Sequence, residues 1–379
     1  MITALVLFWG SLLLVFWAYF GYFLALKSIS LFFTRKIAKA DYFPGVSLLI
    51  TAHNEEKRIE EKIKNTLALN YPKDKMQIIV ISDGSTDRTV EIAGSFREMG
   101  VELLEIPTRH GKHYGQGEGI KIARNDIVVL TDATTFLETN SLKNIVANFA
   151  DRTVGCVSGL DMIQNSHNGP SGEGAYVKYE MKLRDLESQV GSLVGASGSF
   201  YALRKSLAGI WYPDMSNDFY LPIIARMNNY RTILDKTAVG YYNIIEDPQR
   251  EFQRKVRTVV HGIDVLVKFR SILNPFRYGF FAFQMASHKL FRWLVPFALI
   301  LIFCSNLFLY KDSPFYLTML VCQLLFYLLT VSAYFIRSLQ HKVLFKVPYF
   351  FVMANYSILV AWIDFLKGER YITWQATER

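Results

Sequence analysis

The chain has 379 residues, 51% hydrophobic and 15% aromatic, with a net charge of +9 and a positive mean hydropathy. That length admits one large domain together with membrane segments. The basic excess tracks the flanks of apolar segments, with no zinc-finger spacing or RNP-like motif, which excludes nucleic acid as the expected partner. Cys156, Cys304 and Cys322 are scattered; they read as small hydrophobes in a reducing compartment and exclude a disulfide framework.

Ile2 to Leu26 carries no charged residue. As a helix this run spans roughly 37 Å, enough to cross a ~30 Å hydrocarbon core. A signal peptide fits poorly, because there is no basic n-region, the run is too long and no small-residue cleavage site follows. Residues 1–26 are therefore expected to be a retained transmembrane helix. Lys27, Arg35, Lys36 and Lys39 follow it, and Arg337, His341, Lys342 and Lys346 cluster later. The positive-inside rule puts both groups on the cytoplasmic side.

Residues 42–270 read as the soluble block, opening after the Pro44-Gly45 break. Val46 to Ala52 is a continuous apolar run that fits a buried strand. Glu55 to Leu69 has helical spacing at Ile59, Ile63 and Leu67. Met76 to Ser82 is a second strand, and Ser85 or Thr86 can cap a helix reaching Met99. Val101 to Ile106 is a third strand, Gly115 to Ala123 a helix and Ile127 to Thr131 a fourth strand. This alternation predicts an α/β domain with a mostly parallel sheet and helices on both faces. Gly155 to Leu160 and Ser199 to Leu203 read as further strands, Gly169 to Gly174 as a loop and Val177 to Val190 as a helix.

From Phe276 the chain turns apolar again. Arg277, His288 and Lys289 make residues 271–292 an expected interfacial helix. Residues 293–336 hold two expected transmembrane helices around the short Tyr310-Lys311-Asp312-Ser313 loop. Residues 345–366 contain Pro348, Asn355 and Asp364 between basic flanks, so an interfacial or re-entrant helix is preferred, leaving residues 367–379 as a cytoplasmic tail.

Several polar residues stand where an open α/β sheet presents ligands, at the carboxyl ends of its strands. Thr51, Asn54 and Glu55 close the first strand. Asp83 closes the second; its carboxylate can accept from a base imide or a ribose hydroxyl, or serve as an Asx-turn acid. Lys112, in Arg109-His-Gly-Lys112, can neutralise a diphosphate or be a solvated loop lysine. Asp132 closes the fourth strand and is the strongest ligand for a hard divalent cation such as Mg²⁺ or Mn²⁺, with Thr134 in the partner position. Asp218, beside a helix start, can be a general base or an N-cap. Arg254 and Arg257 project to one helix face and can hold a pyrophosphate or a lipid headgroup. The seven histidines show no zinc spacing. The absence of a Gly-x-x-x-x-Gly-Lys loop and of Gly-x-Gly-x-x-Gly argues against kinase, NTPase and dehydrogenase chemistry.

In this order, Ile81-Ser-Asp-Gly-Ser85, Leu130-Thr-Asp-Ala-Thr134, Asn217-Asp-Phe219 and Arg254-Lys-Val-Arg257 resemble family 2 of the glycosyltransferases. The similar branch is the membrane-integrated one that includes cellulose, hyaluronan and poly-N-acetylglucosamine synthases. The resemblance runs from Pro44 to Arg257 and more loosely to Arg379. It implies a GT-A nucleotide-binding domain facing the cytoplasm, flanked by N- and C-terminal transmembrane or interfacial helices.

The resemblance also implies roles. Thr51, Asn54 and Glu55 line the donor entrance, Asp83 contacts the nucleoside and Lys112 the diphosphate. Asp132 holds the metal as first acid of an Asp-x-Asp motif, and Asp218 is the base. The Gly195-Ala-Ser-Gly-Ser199 stretch, with Gly195, Ser197 and Gly198, borders the acceptor beside Asn217. Arg254 and Arg257 fall in the Gln-x-x-Arg-Trp region, and Trp374, Thr377 and Arg379 resemble a gating loop over the nucleotide. Three positions depart from the pattern: Thr134 replaces the second metal acid, Asn217 the Glu before the base, and Thr258 the Trp that supports the acceptor sugar. The expected activity is inverting, metal-dependent transfer from a nucleotide sugar, a UDP-sugar by resemblance. The acceptor is a growing polysaccharide or, alternatively, a lipid-linked or oligosaccharide acceptor receiving one sugar. A non-catalytic nucleotide-sugar-binding subunit and a membrane-anchored nucleotidyltransferase are the readings of another class.

Overall fold

The structure, a computed structural model, describes residues 1–163, 171–243 and 247–371. At its centre is an eight-stranded mixed sheet in the order β3-β2-β1-β4-β7-β6-β8-β5. Its strands are β1 (Val46–Ala52), β2 (Met76–Asp83), β3 (Val101–Ile106), β4 (Ile127–Asp132), β5 (Phe136–Leu137), β6 (Val154–Ile163), β7 (Phe200–Arg204) and β8 (Arg231–Tyr242). β3, β2, β1 and β4 run parallel, as the strand–helix alternation predicts. β7 then enters antiparallel to both β4 and β6. β8, which the sequence pattern did not reveal, pairs parallel with β6.

The apolar runs become strands because both of their faces are covered. Every residue of β1 is buried. Leu49, Ile79, Ile81, Val128 and Leu130 face one hydrophobic layer, while Leu48, Ile50, Ile78, Val80 and Val129 face the other. Covering both faces in this way is what lets a parallel sheet do without polar alternation.

Helices Ile59–Leu67, Thr89–Gly94, Lys112–Ile122, Ser171–Val190, Asn217–Met227 and Pro248–Lys268 surround the sheet. The expected cap at Ser85 or Thr86 is displaced to later residues. Asn54 Oδ1 accepts from the Thr86 amide at 2.8 Å, and Ser85 Oγ accepts from the Asn54 amide, so this stretch is tied to the β1 turn instead. The residues 171–174 expected in a loop are helical.

Among the described residues, four helices are long and apolar enough to cross a membrane: Ile2–Phe32, Phe280–Leu309, Pro314–Phe335 and Val343–Lys367. The separate interfacial helix expected at 271–292 is not formed. After a short turn at Pro275–Tyr278, one helical run continues from Phe280 through a π-turn at Ala286–Leu290. Its charged residues are accommodated by docking onto Ser171–Val190. His288 bonds Glu187 and Glu180 at 2.8 Å each, Arg292 pairs with Glu180 at 2.9 Å, and the Tyr22 hydroxyl donates to Glu187 at 2.7 Å. Buried charges must be paired in this way. Val343–Lys367 packs against both Pro314–Phe335 and Pro248–Lys268, placing the last described residues against the α/β domain.

Candidate active site

Parallel β1, β2 and β4 end side by side, and their carboxyl ends form a cleft. Thr51, Glu55, Asp83, Lys112, Asp132 and Thr134 line it, together with His53 and Arg109. The strand ends deliver two acids. Asp83 is buried, and its two oxygens accept from the backbone amides of His110 at 2.9 Å and Gly111 at 2.7 Å. It therefore fixes the loop that leads into Lys112. Gly84 makes this loop possible, since it sits at φ +61° and an added Cβ would stand 2.5 Å from the Arg109 amide nitrogen.

Lys112 opens its helix and reaches across the cleft. Its Nζ lies 2.5 Å from Asp132 Oδ1 and donates to the Gly198 carbonyl at 2.7 Å. Gly198 in turn faces the other acid, for a Cβ there would lie 3.4 Å from Asp218 Oδ2. The glycine-rich stretch thus connects Lys112 to Asp218. Asp218 starts its helix with Oδ1 accepting from Ser216 Oγ, while its carbonyl accepts from the Ala196 amide at 2.7 Å. Gly195 abuts Phe219 and Lys289. Ser197 is buried and donates to Asp161 at 2.7 Å, which anchors the glycine-rich turn.

Other expected site residues play structural parts. The Asn54 side chain is occupied by Thr86, and Asn54 is not among the residues lining the cleft. Asn217 is buried and donates to Gln116, linking the Asp218 helix to the Lys112 helix. The two arginines separate. Arg254 makes a bidentate pair with Glu251 at 2.6 and 2.7 Å. Arg257 lies near enough to His113 and His261 that its charge helps hold both imidazoles below their usual value, after the larger effect of burial. Trp374, Thr377 and Arg379 lie outside the described residues; just before them, the Tyr371 carbonyl meets His261 at 2.8 Å and Arg370 pairs with Asp264 at 2.8 Å.

Three residues that sequence reasoning passed over belong to the site's framework. Asp161 accepts from Ser197 and Ser199, and burial pushes its carboxyl up against the opposing charge of Arg184. It closes a hydrophobic run as Asp83 and Asp132 do, a signal available in the sequence. Arg109 carries a buried Nη2 without a hydrogen-bond partner at the cleft wall. Lys62 is fully buried behind the cleft, its Nζ donating to Thr131 Oγ1 at 3.1 Å and to the Thr135 carbonyl, with burial pulling it down to about 7. No sequence signal distinguishes Lys62 from a surface lysine.

The donor set at Asp132 fits a hard divalent metal. It offers oxygens only, and a cation, the Lys112 ammonium, already stands against Oδ1. No group of three or more His, Cys, Asp or Glu side chains that could hold an ion exists among the described residues. Mg²⁺ commonly takes one or two carboxylates and completes its shell with substrate phosphate and water.

Residues 47–208 match Glycosyl transferase family 2. The match spans the strand-end cleft and the sheet from β1 to β7, so this part of the chain is similar to family 2 glycosyltransferases, and the four apolar helices among the described residues make the chain an integral membrane protein. Among named relatives, it is 26% identical over 285 residues to poly-β-1,6-N-acetyl-D-glucosamine synthase of Staphylococcus aureus strain COL, covering 70% of this chain and 69% of the relative. The synthase of the same name from Staphylococcus epidermidis is 25% identical over 232 residues, covering 59% of this chain and 56% of the relative. In fold, the chain is similar to the mannosyltransferase PcManGT from Pyrobaculum calidifontis, solved with GDP-Man and Mn²⁺. That likeness has a TM-score of 0.71 at 21% identity and covers 97% of this chain and 98% of the other.

Proposed function

We propose that this protein is an inverting, metal-dependent polysaccharide synthase that uses a nucleotide sugar, a UDP-sugar by similarity to the synthases, at the cytoplasmic face of the membrane. The observation that carries this reading is Gly198, whose carbonyl binds Lys112 while its Cα faces Asp218. A sugar whose diphosphate meets Lys112 would then present its anomeric carbon to an acceptor hydroxyl held at Asp218.

Asp218 accepts the proton of that hydroxyl. The hydroxyl oxygen bonds to the anomeric carbon from the opposite side as the bond to the diphosphate breaks, inverting the centre. Lys112, Arg257 and Arg109 stabilise the departing charge. Thr51, whose buried Oγ1 lacks a partner, and Asp83 bound the nucleoside end. Asp132 and Thr134 would hold Mg²⁺ or Mn²⁺, whose charge neutralises the diphosphate. The acceptor lies along Gly195, Ser197 and Gly198. The nucleotide-sugar donors and polysaccharide product follow the relatives named above.

Addition of a single sugar to a lipid-linked or oligosaccharide acceptor is the second reading. Thr258 favours it, because its hydroxyl donates to the Arg254 carbonyl of its own helix at 2.8 Å and offers no ring to support a sugar. Purified protein incubated with nucleotide sugars and Mn²⁺ should release nucleoside diphosphate and yield a polymer ladder. One product band would select the second reading, and diphosphate release without metal would remove the metal from the mechanism.

A further inference from the structure

The Ile2–Phe32 and Phe280–Leu309 helices meet the α/β domain around a second cavity of about 310 Å³, which shares no lining residue with the cleft that holds Asp132. Its walls include Ile29, Phe33 and Phe280, and three arginines, Arg35, Arg226 and Arg231, also line it. Arg231 is buried, with Nε donating to the Gly191 carbonyl and Nη2 to the Ser188 carbonyl, each at 3.0 Å. Arg226 reaches the Tyr278 carbonyl at 3.4 Å, but its Nε is buried without a partner. None of the three forms an ion pair among the described residues. Their side-chain hydrogen bonds are to neutral carbonyls, and Asp151, near enough to Arg231 to act on it through space, offsets only part of the three positive charges. Burial, then the neighbouring Arg35 charge, pulls Arg231 below its usual value.

We propose that this cavity binds the phosphate headgroup of an anionic membrane lipid. Guanidinium groups bind phosphate through paired, charge-assisted hydrogen bonds, and an anion here would relieve both the mutual repulsion and the unpartnered Nε. The apolar walls account for the lipid. Phe33 and Phe280 stand at the ends of membrane-length helices, and the nearby Phe32 and Phe276 are 91% and 99% exposed. Aromatic side chains at such helix ends sit at headgroup depth. Inorganic phosphate would satisfy the arginines and leave these walls bare, whereas a phospholipid covers both.

The test uses delipidated full-length protein in neutral detergent, with native mass spectrometry and thermal unfolding after addition of phosphatidylglycerol, phosphatidylcholine or inorganic phosphate. Phosphatidylglycerol should stay bound and raise the unfolding midpoint, and the other two should do neither. The Arg35→Gln/Arg226→Gln double variant should bind phosphatidylglycerol about tenfold or more weakly, the effect of losing charge-assisted contacts. Arg277→Gln, exposed and outside the cavity, should bind it normally. Arg35→Gln alone surrenders only its side-chain contact with the Phe33 ring at 5.7 Å, so it gives the same comparison if the double variant does not fold. Equal retention of phosphatidylcholine, equal stabilisation by inorganic phosphate, or unchanged phosphatidylglycerol binding by folded arginine variants would overturn the proposal.

Discussion

Replacing Lys112 with Met should move metal binding and turnover in opposite directions. In the donor-free protein its ammonium lies 2.5 Å from Asp132 Oδ1, with the two side chains 20% and 29% exposed. Such a partly buried pair is worth about 1–2 kcal/mol, between exposed ion pairs and buried charge-assisted bonds. Removing it frees Asp132 for a cation. At ~1.4 kcal/mol per decade, Mn²⁺ should bind the donor-free variant roughly 5- to 30-fold more tightly. Turnover should nevertheless fall by about 10²–10³, the usual loss when one preorganised group facing a developing charge is removed. Isothermal titration with Mn²⁺ in the absence of donor reads the first quantity, and nucleoside diphosphate release at saturating metal reads the second. Unchanged or weaker metal binding would refute the idea that Lys112 occupies the cation position on Asp132.

Gly198→Ala places a methyl 3.4 Å from Asp218 Oδ2 and 3.7 Å from its Cγ, ordinary contact distances. The unfolding midpoint should hold while turnover drops roughly 100-fold through acceptor misplacement, measured by comparing thermal melts with initial rates. Lys62→Met removes the support behind Thr131 and Thr135, and the metal concentration for half-maximal rate should rise about tenfold, as for other outer-shell changes. His113 supplies a pH test. Burial first, then the Lys112 and His261 charges, holds its imidazole at about 3 against 6.5 for a free histidine. The unfolded chain therefore takes up the proton first, and this contribution to stability is lost as pH falls from 6.5 toward 3, by at most ~1.4 kcal/mol per pH unit. His113→Gln should unfold less steeply with acid over that window in parallel denaturation curves.

The parallel half of the sheet was legible because burial on both faces leaves apolar runs such as those of Met76–Asp83 and Ile127–Asp132, and the acids that end them, Asp83 and Asp132, stand at the cleft. β8 escaped notice because Asp235, Lys236 and Thr237 interrupt it; Asp235 is matched by Lys39, Asn148 and Thr237, contacts that only the tertiary structure supplies. The Arg254–Arg257 pair looked like one unit from its helical spacing, yet Glu251 captures Arg254 within the same turn. Asn217 looked like an acceptor residue from its place beside Asp218, but its side chain turns inward to Gln116. Lys62 shows the reverse limit, since a helix period alone cannot tell that a lysine will pass beneath a sheet to meet the Thr135 carbonyl.

Asp218→Asn tests the proposed chemistry most directly. The substitution keeps the side chain's shape and an oxygen for Ser216 but removes the proton acceptor. With donor binding measured separately and found intact, nucleoside diphosphate release into product should fall by about 10²–10⁴. Near-normal turnover with donor still bound would contradict the assignment of Asp218 as the base that activates the acceptor.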